Sequence, residues 1–166
     1  MTRATTRRFL FAALAAAATL SLAPPPASAR PDEAADRAAA AKALNAGAAL
    51  FDAKDAKGLA ATYADDGVLK VVTREKDSGD LKTETKHGRA EIEEAYRDIF
   101  KGDQPYHAKN TIEHVRKIGS DVLLIAGLFT PDDQAAEPMK FAFVQVRKKV
   151  GDAWKVMDLQ VFILFD

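Results

Sequence analysis

Residues 154–165 read Trp-Lys-Val-Met-Asp-Leu-Gln-Val-Phe-Ile-Leu-Phe, and the way this stretch is read decides the fold. Side chains alternate along a strand, so Trp154, Val156, Asp158, Gln160, Phe162 and Leu164 are expected on one face. Lys155, Met157, Leu159, Val161, Ile163 and Phe165 take the other, which is wholly apolar from Met157 onward. A sheet with helices on one side only shows polar residues on its free side. Apolar residues on both faces therefore need cover on both. The helices supply one layer, and a second copy of the chain packed on the sheet, a homodimer, is the expected source of the other.

Working outward, strands are expected over 107–118, 122–130 and 139–149, before the one over 154–165. Gly119-Ser120, residues 131–138 and Gly151-Asp152 connect them. Short connections of this kind give an antiparallel meander. Upstream, 68–73 is β-branched and 81–86 is alternating and mostly polar, with Asp77-Ser78-Gly79-Asp80 as the turn. The second of these strands belongs at an edge. Gly88 opens a helix in which Ile92, Ala95, Tyr96, Ile99 and Phe100 share one face, and Lys101-Gly102 closes it. A long helix is expected over 31–57, with Ala41, Leu44, Ala48 and Phe51 as its apolar stripe. A short second helix runs through Leu59 and Tyr63 and ends in the turn Asp65-Asp66-Gly67. The order of two helices, a hairpin, a helix and four strands is an α+β arrangement with helices on one face of a curved sheet.

The first 29 residues stand apart. Arg3, Arg7 and Arg8 precede an apolar run of roughly 14 residues, short of the about 20 needed to cross a bilayer core, and Ala27-Ser28-Ala29 offers a small-x-small cleavage site. This is the pattern of a secretory signal. Thr6-Arg7-Arg8-Phe9-Leu10-Phe11 fits twin-arginine export as well as a Sec signal with adjacent arginines. Periplasmic or secreted localisation is expected, with residues 30–166 as one domain and no stable membrane anchor after cleavage. The sequence has no cysteine, so stability comes from packing or oligomerisation rather than disulfides. Lys+Arg and Asp+Glu balance at 24 each, and most of the signal's charge is positive, so the mature domain is slightly acidic. It carries no basic stripe, which argues against nucleic acid as a partner.

Leu59-Ala60-Ala61-Thr62-Tyr63-Ala64-Asp65-Asp66-Gly67-Val68, His87-Gly88-Arg89-Ala90-Glu91-Ile92 and Trp154-Lys155-Val156-Met157-Asp158-Leu159-Gln160, in that order, resemble the nuclear transport factor two-like superfamily. Within it the chain is most similar to SnoaL-like and SgcJ/EcaC-type proteins. The resemblance implies a cone-shaped fold, also called cystatin-like, in which a bent antiparallel sheet wraps around N-terminal helices and leaves a pocket at its open end. It also implies dimerisation through the sheet. The superfamily spans ketosteroid isomerases, dehydratases, other enzymes and non-catalytic proteins, so the fold does not name a reaction.

Asp158 is the candidate acid–base group: a carboxylate on a strand face shared with Trp154, Val156 and Phe162 is held among apolar side chains if that face lines the cone. The structural alternative is an ion pair with Arg147 or Lys109. Gln160 and Trp154 lie on the same face as candidate ligand contacts, and the resemblance places a glutamine at the former. Tyr63 and Tyr96, both expected on helices, are either core residues or hydroxyl donors to a carbonyl oxygen. His107 is a candidate at the pocket mouth. His107 and His114 fall on opposite faces of one strand, and no HExxH or H-x-H pattern occurs. No metal is therefore expected, and with no phosphate loop or dinucleotide fingerprint no cofactor is expected either. The serines Ser78 and Ser120 sit in turns without a nucleophile elbow. Two functions remain open: a protein binding a small apolar, carbonyl-bearing compound, with acid–base chemistry of isomerase or dehydratase type, or a non-catalytic dimeric envelope module whose cone is filled by its own side chains.

Overall fold

A computed structural model describes residues 31–102, 108–131 and 141–163. The expected signal segment and His107 lie outside the described residues, as do Leu164 and Phe165. Helix α1 spans Pro31–Asp52 and α2 spans Ala56–Ala61. Strands β1 (Tyr63–Arg74) and β2 (Leu81–His87) form a hairpin, and α3 (Gly88–Ile99) follows. The chain ends in β3 (Ala108–Ile118), β4 (Val122–Pro131), β5 (Phe141–Val150) and β6 (Ala153–Ile163). One curved six-stranded sheet results, in the order β2-β1-β6-β5-β4-β3. The last four strands form the expected meander. β6 then pairs in parallel with β1, which brings the first hairpin beside the last strand. β2 is an edge strand, and all but one of its residues are exposed.

Local chemistry explains the elements. Asp32 and Glu33 stand in the first turn of α1, where the macrodipole favours acids. Ala40 and Leu44 are its buried residues, and Arg37 Nη1 donates to the Ile112 carbonyl at 2.9 Å, which ties the helix to β3. Asp55 caps α2 by accepting from the Gly58 amide at 2.8 Å. In α3, Ile92 and Tyr96 are buried and Ala95 and Phe100 pack on the core. Ile99, expected on the same stripe, is 42% exposed at the helix's last turn.

Tyr63 is not helical, contrary to the sequence reading. The chain leaves α2 at Thr62, whose carbonyl accepts from the Val156 amide at 3.0 Å, and Tyr63 already pairs with Val156 in the sheet. Asp65-Asp66-Gly67 is likewise part of β1, not a turn that closes a helix. From Tyr63 to Val68, β1 advances five residues while β6 advances two, so the surplus forms a bulge. Gly67 sits where a Cβ would come within 2.9 Å of the Val156 carbonyl, a close approach that only glycine permits.

A second bulge, in β6, overturns the expected division of faces. Val146 pairs with Asp158 and Arg147 with Val156, which leaves one extra residue in β6 between them. The bulge swaps the alternation from that point onward. Trp154 and Val156 face the helices, but so do Leu159 and Val161; Val156 and Leu159 are 2% and 7% exposed, respectively. Asp158, Gln160 and Phe162 are turned to the opposite face.

Candidate functional site

Among the described residues the buried polar side chains are Gln145 and Arg147, neighbours on the inner face of the sheet. Along β5, Phe143, Gln145 and Arg147 alternate toward the helices and are 4%, 8% and 4% exposed, respectively. Gly127 on β4 lets this face close up. A Cβ there would lie 2.1 Å from the Thr111 carbonyl and 3.1 Å from the Phe143 ring. Arg147 lies opposite Leu123 of β4 and Val156 of β6. Its Nε donates to Gln145 Oε1 at 2.9 Å and its Nη1 to the Trp154 carbonyl at 3.2 Å.

Beside it stand two tyrosines. Tyr63, at the start of β1, is held by Arg89 of α3, whose Nε and Nη2 donate to the Tyr63 carbonyl at 2.9 and 2.8 Å. Arg89 Nη1 also pairs with Asp65 at 2.8 Å, fixing the bulge. Tyr96 projects from α3, and the two phenolic oxygens are 3.0 Å apart. The Tyr96 ring stacks on Phe100, and Phe51 meets Tyr96, Phe100 and Phe129 edge-on. A buried pair of hydroxyls thus lies between an aromatic cluster and a buried guanidinium.

Electrostatics keep these groups in defined states. Burial pushes the Tyr63 hydroxyl well above its ordinary 10.0, and its bond to Tyr96 adds to this. Burial also raises Tyr96, but the bond from Tyr63 and the positive Arg147 pull in the other direction, so Tyr96 is the more acidic of the pair. Both are neutral donors near pH 7. Burial lowers Arg147 from its ordinary value to about 10, while Tyr63 and Tyr96 act to raise it. The guanidinium is therefore cationic near pH 7.

The expected site residues divide between the two faces. Tyr63 and Tyr96 meet inside, and Trp154 packs on the same core, although Tyr63 arrives from a strand rather than a helix. Asp158 and Gln160 do not join them. Asp158 Oδ2 accepts from Lys70 Nζ at 2.8 Å, with both side chains about a third exposed (29% and 33%). Lys70 alternates with Leu69 and Val71, which belong to the core, so the pair lies on the outer face. The cation is neither Arg147 nor Lys109. Gln160 sits opposite Lys70 across the parallel pairing. Sequence reading passed over Gln145 and Arg147 as site residues. By polarity alone Val144 and Val146 should be the inward residues of β5. The signal that could have found the reverse is Phe143, in phase with Gln145 and Arg147. Among the described residues no three His, Asp or Glu side chains gather as a metal site, and no helix is long and apolar enough to cross a membrane.

Solved structures with this fold include a nuclear transport factor two-like protein of unknown function from Shewanella oneidensis MR-1, with TM-score 0.59 and 13% identity over 76% of this chain and 98% of that one. A ketosteroid isomerase-like protein from Erwinia carotovora atroseptica gives TM-score 0.56 and 21% identity over 75% and 93%. A domain of unknown function with a cystatin-like fold from Nostoc punctiforme gives 0.59 and 16% over 80% and 79%. At such identities the likeness is one of fold. No curated protein matches the chain. The SnoaL-like domain matches residues 32–157, most of the chain. With the cone of helices on a bent sheet, that match establishes the protein as a member of the SnoaL-like domain family, with a nuclear transport factor two-like fold.

Proposed function

We propose that the protein binds a small apolar, carbonyl-bearing compound inside the cone, at the Tyr63–Tyr96 pair. The observation that carries this reading is a count of hydrogens. Each phenol has one O–H, and only one is used between the two oxygens. The other has no acceptor among the described residues, which is costly for a buried donor. A carbonyl oxygen satisfies it, and Phe51, Phe100 and Trp154 supply apolar surface for the rest of the molecule. The fold likeness to a ketosteroid isomerase-like protein supports the same kind of ligand. Any proton delivered to the bound carbonyl comes from the tyrosines, because Asp158 is on the other face and already paired.

The chain's single tryptophan makes the test simple, since Trp154 gives one indole N–H signal. Titration with α-tetralone, a neutral apolar ketone, should move that signal saturably and lose its effect in Tyr96→Phe. A second reading, a cone filled by its own side chains, is favoured by the close packing of Phe51 on Phe100 and Phe129, with ring centroids 5.1 and 5.6 Å apart. An indole signal unmoved at saturating ketone would select it.

Two further expectations belong to this reading. The outer face presents half-buried Leu124, Leu128, Val144 and Val146 with Phe162, an apolar surface suited to a second copy of the chain. Sedimentation should find a dimer, and a monomer at tens of micromolar would contradict this. The Arg7-Arg8 segment and Ala27-Ser28-Ala29 support export with cleavage, for which a mature N-terminus at Arg30 is the test.

A further inference from the structure

Arg147 carries the sharper clue. Its guanidinium is buried in the cone, yet among the described residues no carboxylate lies within ion-pair distance of it. Its two bonds go to neutral oxygens, those of Gln145 and the Trp154 carbonyl. A buried charge without a counter-charge is expensive, because neutral hydrogen-bond acceptors replace only part of the lost solvation. Nη2 has no hydrogen-bond partner among the described residues. Every fully buried side-chain nitrogen and oxygen there does have one. Nη2 is therefore not sealed in; it faces space that a small molecule's polar atom can reach.

We infer that Arg147 is the counter-ion for a small monocarboxylate with an apolar body, held inside the cone with one oxygen toward Nη2 and the other toward the Tyr63–Tyr96 hydroxyls. This rests on the binding reading above and narrows its carbonyl to a carboxylate. One unpaired cation matches one negative charge. A phosphate dianion would keep a net charge in an apolar interior and would find too few donors. Tyr96 itself packs on Phe51 and Phe100, and this aromatic cluster suits an aromatic or aliphatic body rather than a sugar.

The experiment compares phenylacetate with phenylacetamide, its neutral isostere, on the wild-type protein. Affinity is followed through the Trp154 indole N–H, and the Arg147 Nε–H resonance reports the site itself. Phenylacetate should bind at least about tenfold more tightly, the scale of one charge-assisted hydrogen bond, and should shift the Arg147 resonance saturably. Arg147→Met should remove that preference, bringing the affinities for phenylacetate and phenylacetamide together. Equal affinity for the two probes, or an Arg147 resonance unmoved by bound phenylacetate, overturns the inference while leaving the binding reading intact. If neither probe moves the indole signal, both fall. Should Arg147→Met fail to fold, the probe ratio and the Arg147 resonance on the wild-type protein still decide.

Discussion

Arg147 and Asp158 come from neighbouring strands and lie within a residue of each other in the β5–β6 register, yet they occupy opposite faces of the sheet. On the outer face Asp158 has Lys70 at 2.8 Å and partial access to water. On the inner face Arg147 has neither a carboxylate nor bulk water around it. Exposed and half-exposed pairs contribute little, typically under about 1 kcal/mol. Removing a cation from water without a partner costs several kcal/mol. A charge whose needs are met within the fold requires no further explanation, whereas an unmet one points to something outside the chain. This difference moves the candidate site from the acidic residue to the basic one.

The comparison of faces is tested most strongly in the core. Leu123 and Leu124 are adjacent in β4, the first fully buried among the helices and the second half-buried outside. Leu123→Ala should cost about 2–5 kcal/mol in urea unfolding. Leu124→Ala should cost less and, if the outer face joins two copies, by an amount that depends on protein concentration. Equal, concentration-independent losses would mean the two faces are not different environments.

Next in size is the hydroxyl pair. Tyr96→Phe should destabilise by about 1–3 kcal/mol, because it leaves the Tyr63 hydroxyl buried without a partner. Adding Tyr63→Phe should then recover part of that loss, a non-additivity read from a double-mutant cycle. Additive losses would show that the 3.0 Å contact contributes nothing of its own.

The two charges should then differ in sign. Asp158→Asn should lower stability by under about 1 kcal/mol and leave binding of either probe untouched. Arg147→Met, of similar volume, should leave stability unchanged or raise it, since replacing a buried charge by an apolar side chain is often neutral or favourable. A large loss from Arg147→Met with probe binding retained would make the arginine a structural residue.

The smallest effect at neutral pH is an alkaline one. Tyr63 and Tyr96 have folded values raised above 10.0, so their contribution is complete below about 10 and is lost as pH rises through the folded values. Arg147, lowered to about 10, acts in the opposite direction above that pH. In Arg147→Met, where that opposing contribution is gone, stability should fall with rising pH above about 10. In Tyr106→Phe, which leaves only these two tyrosines, phenolate absorbance should appear later than for free tyrosine.

Much of the fold was legible in the sequence because its signals are local. The β-branched runs, the turn glycines and the spacing of Ile92, Ala95 and Tyr96 each report on a few neighbouring residues. The polar alternation of residues 81–86 likewise marked the edge strand. The candidate site was legible only in part, because it depends on two bulges. Strict alternation placed Asp158 with Trp154 and Val156, and one extra residue in β6 reversed that. Tyr63 looked helical from its place after Leu59, but the Arg89 fork and the Thr62–Val156 bond that draw it into the sheet come from residues 26 and 94 positions away. In β5 both faces carry apolar residues, Phe143 on one and Val144 and Val146 on the other, so polarity alone does not mark Gln145 and Arg147 as inward.

The most direct test of an inward-facing site is a crystal structure of the protein grown with phenylacetate. Density for the carboxylate between Arg147 Nη2 and the Tyr63–Tyr96 hydroxyls, with the phenyl ring against Phe51 and Phe100, is the expected result. Density at Lys70 and Asp158 on the outer face, or a cone closed by its own side chains at saturating phenylacetate, would contradict it.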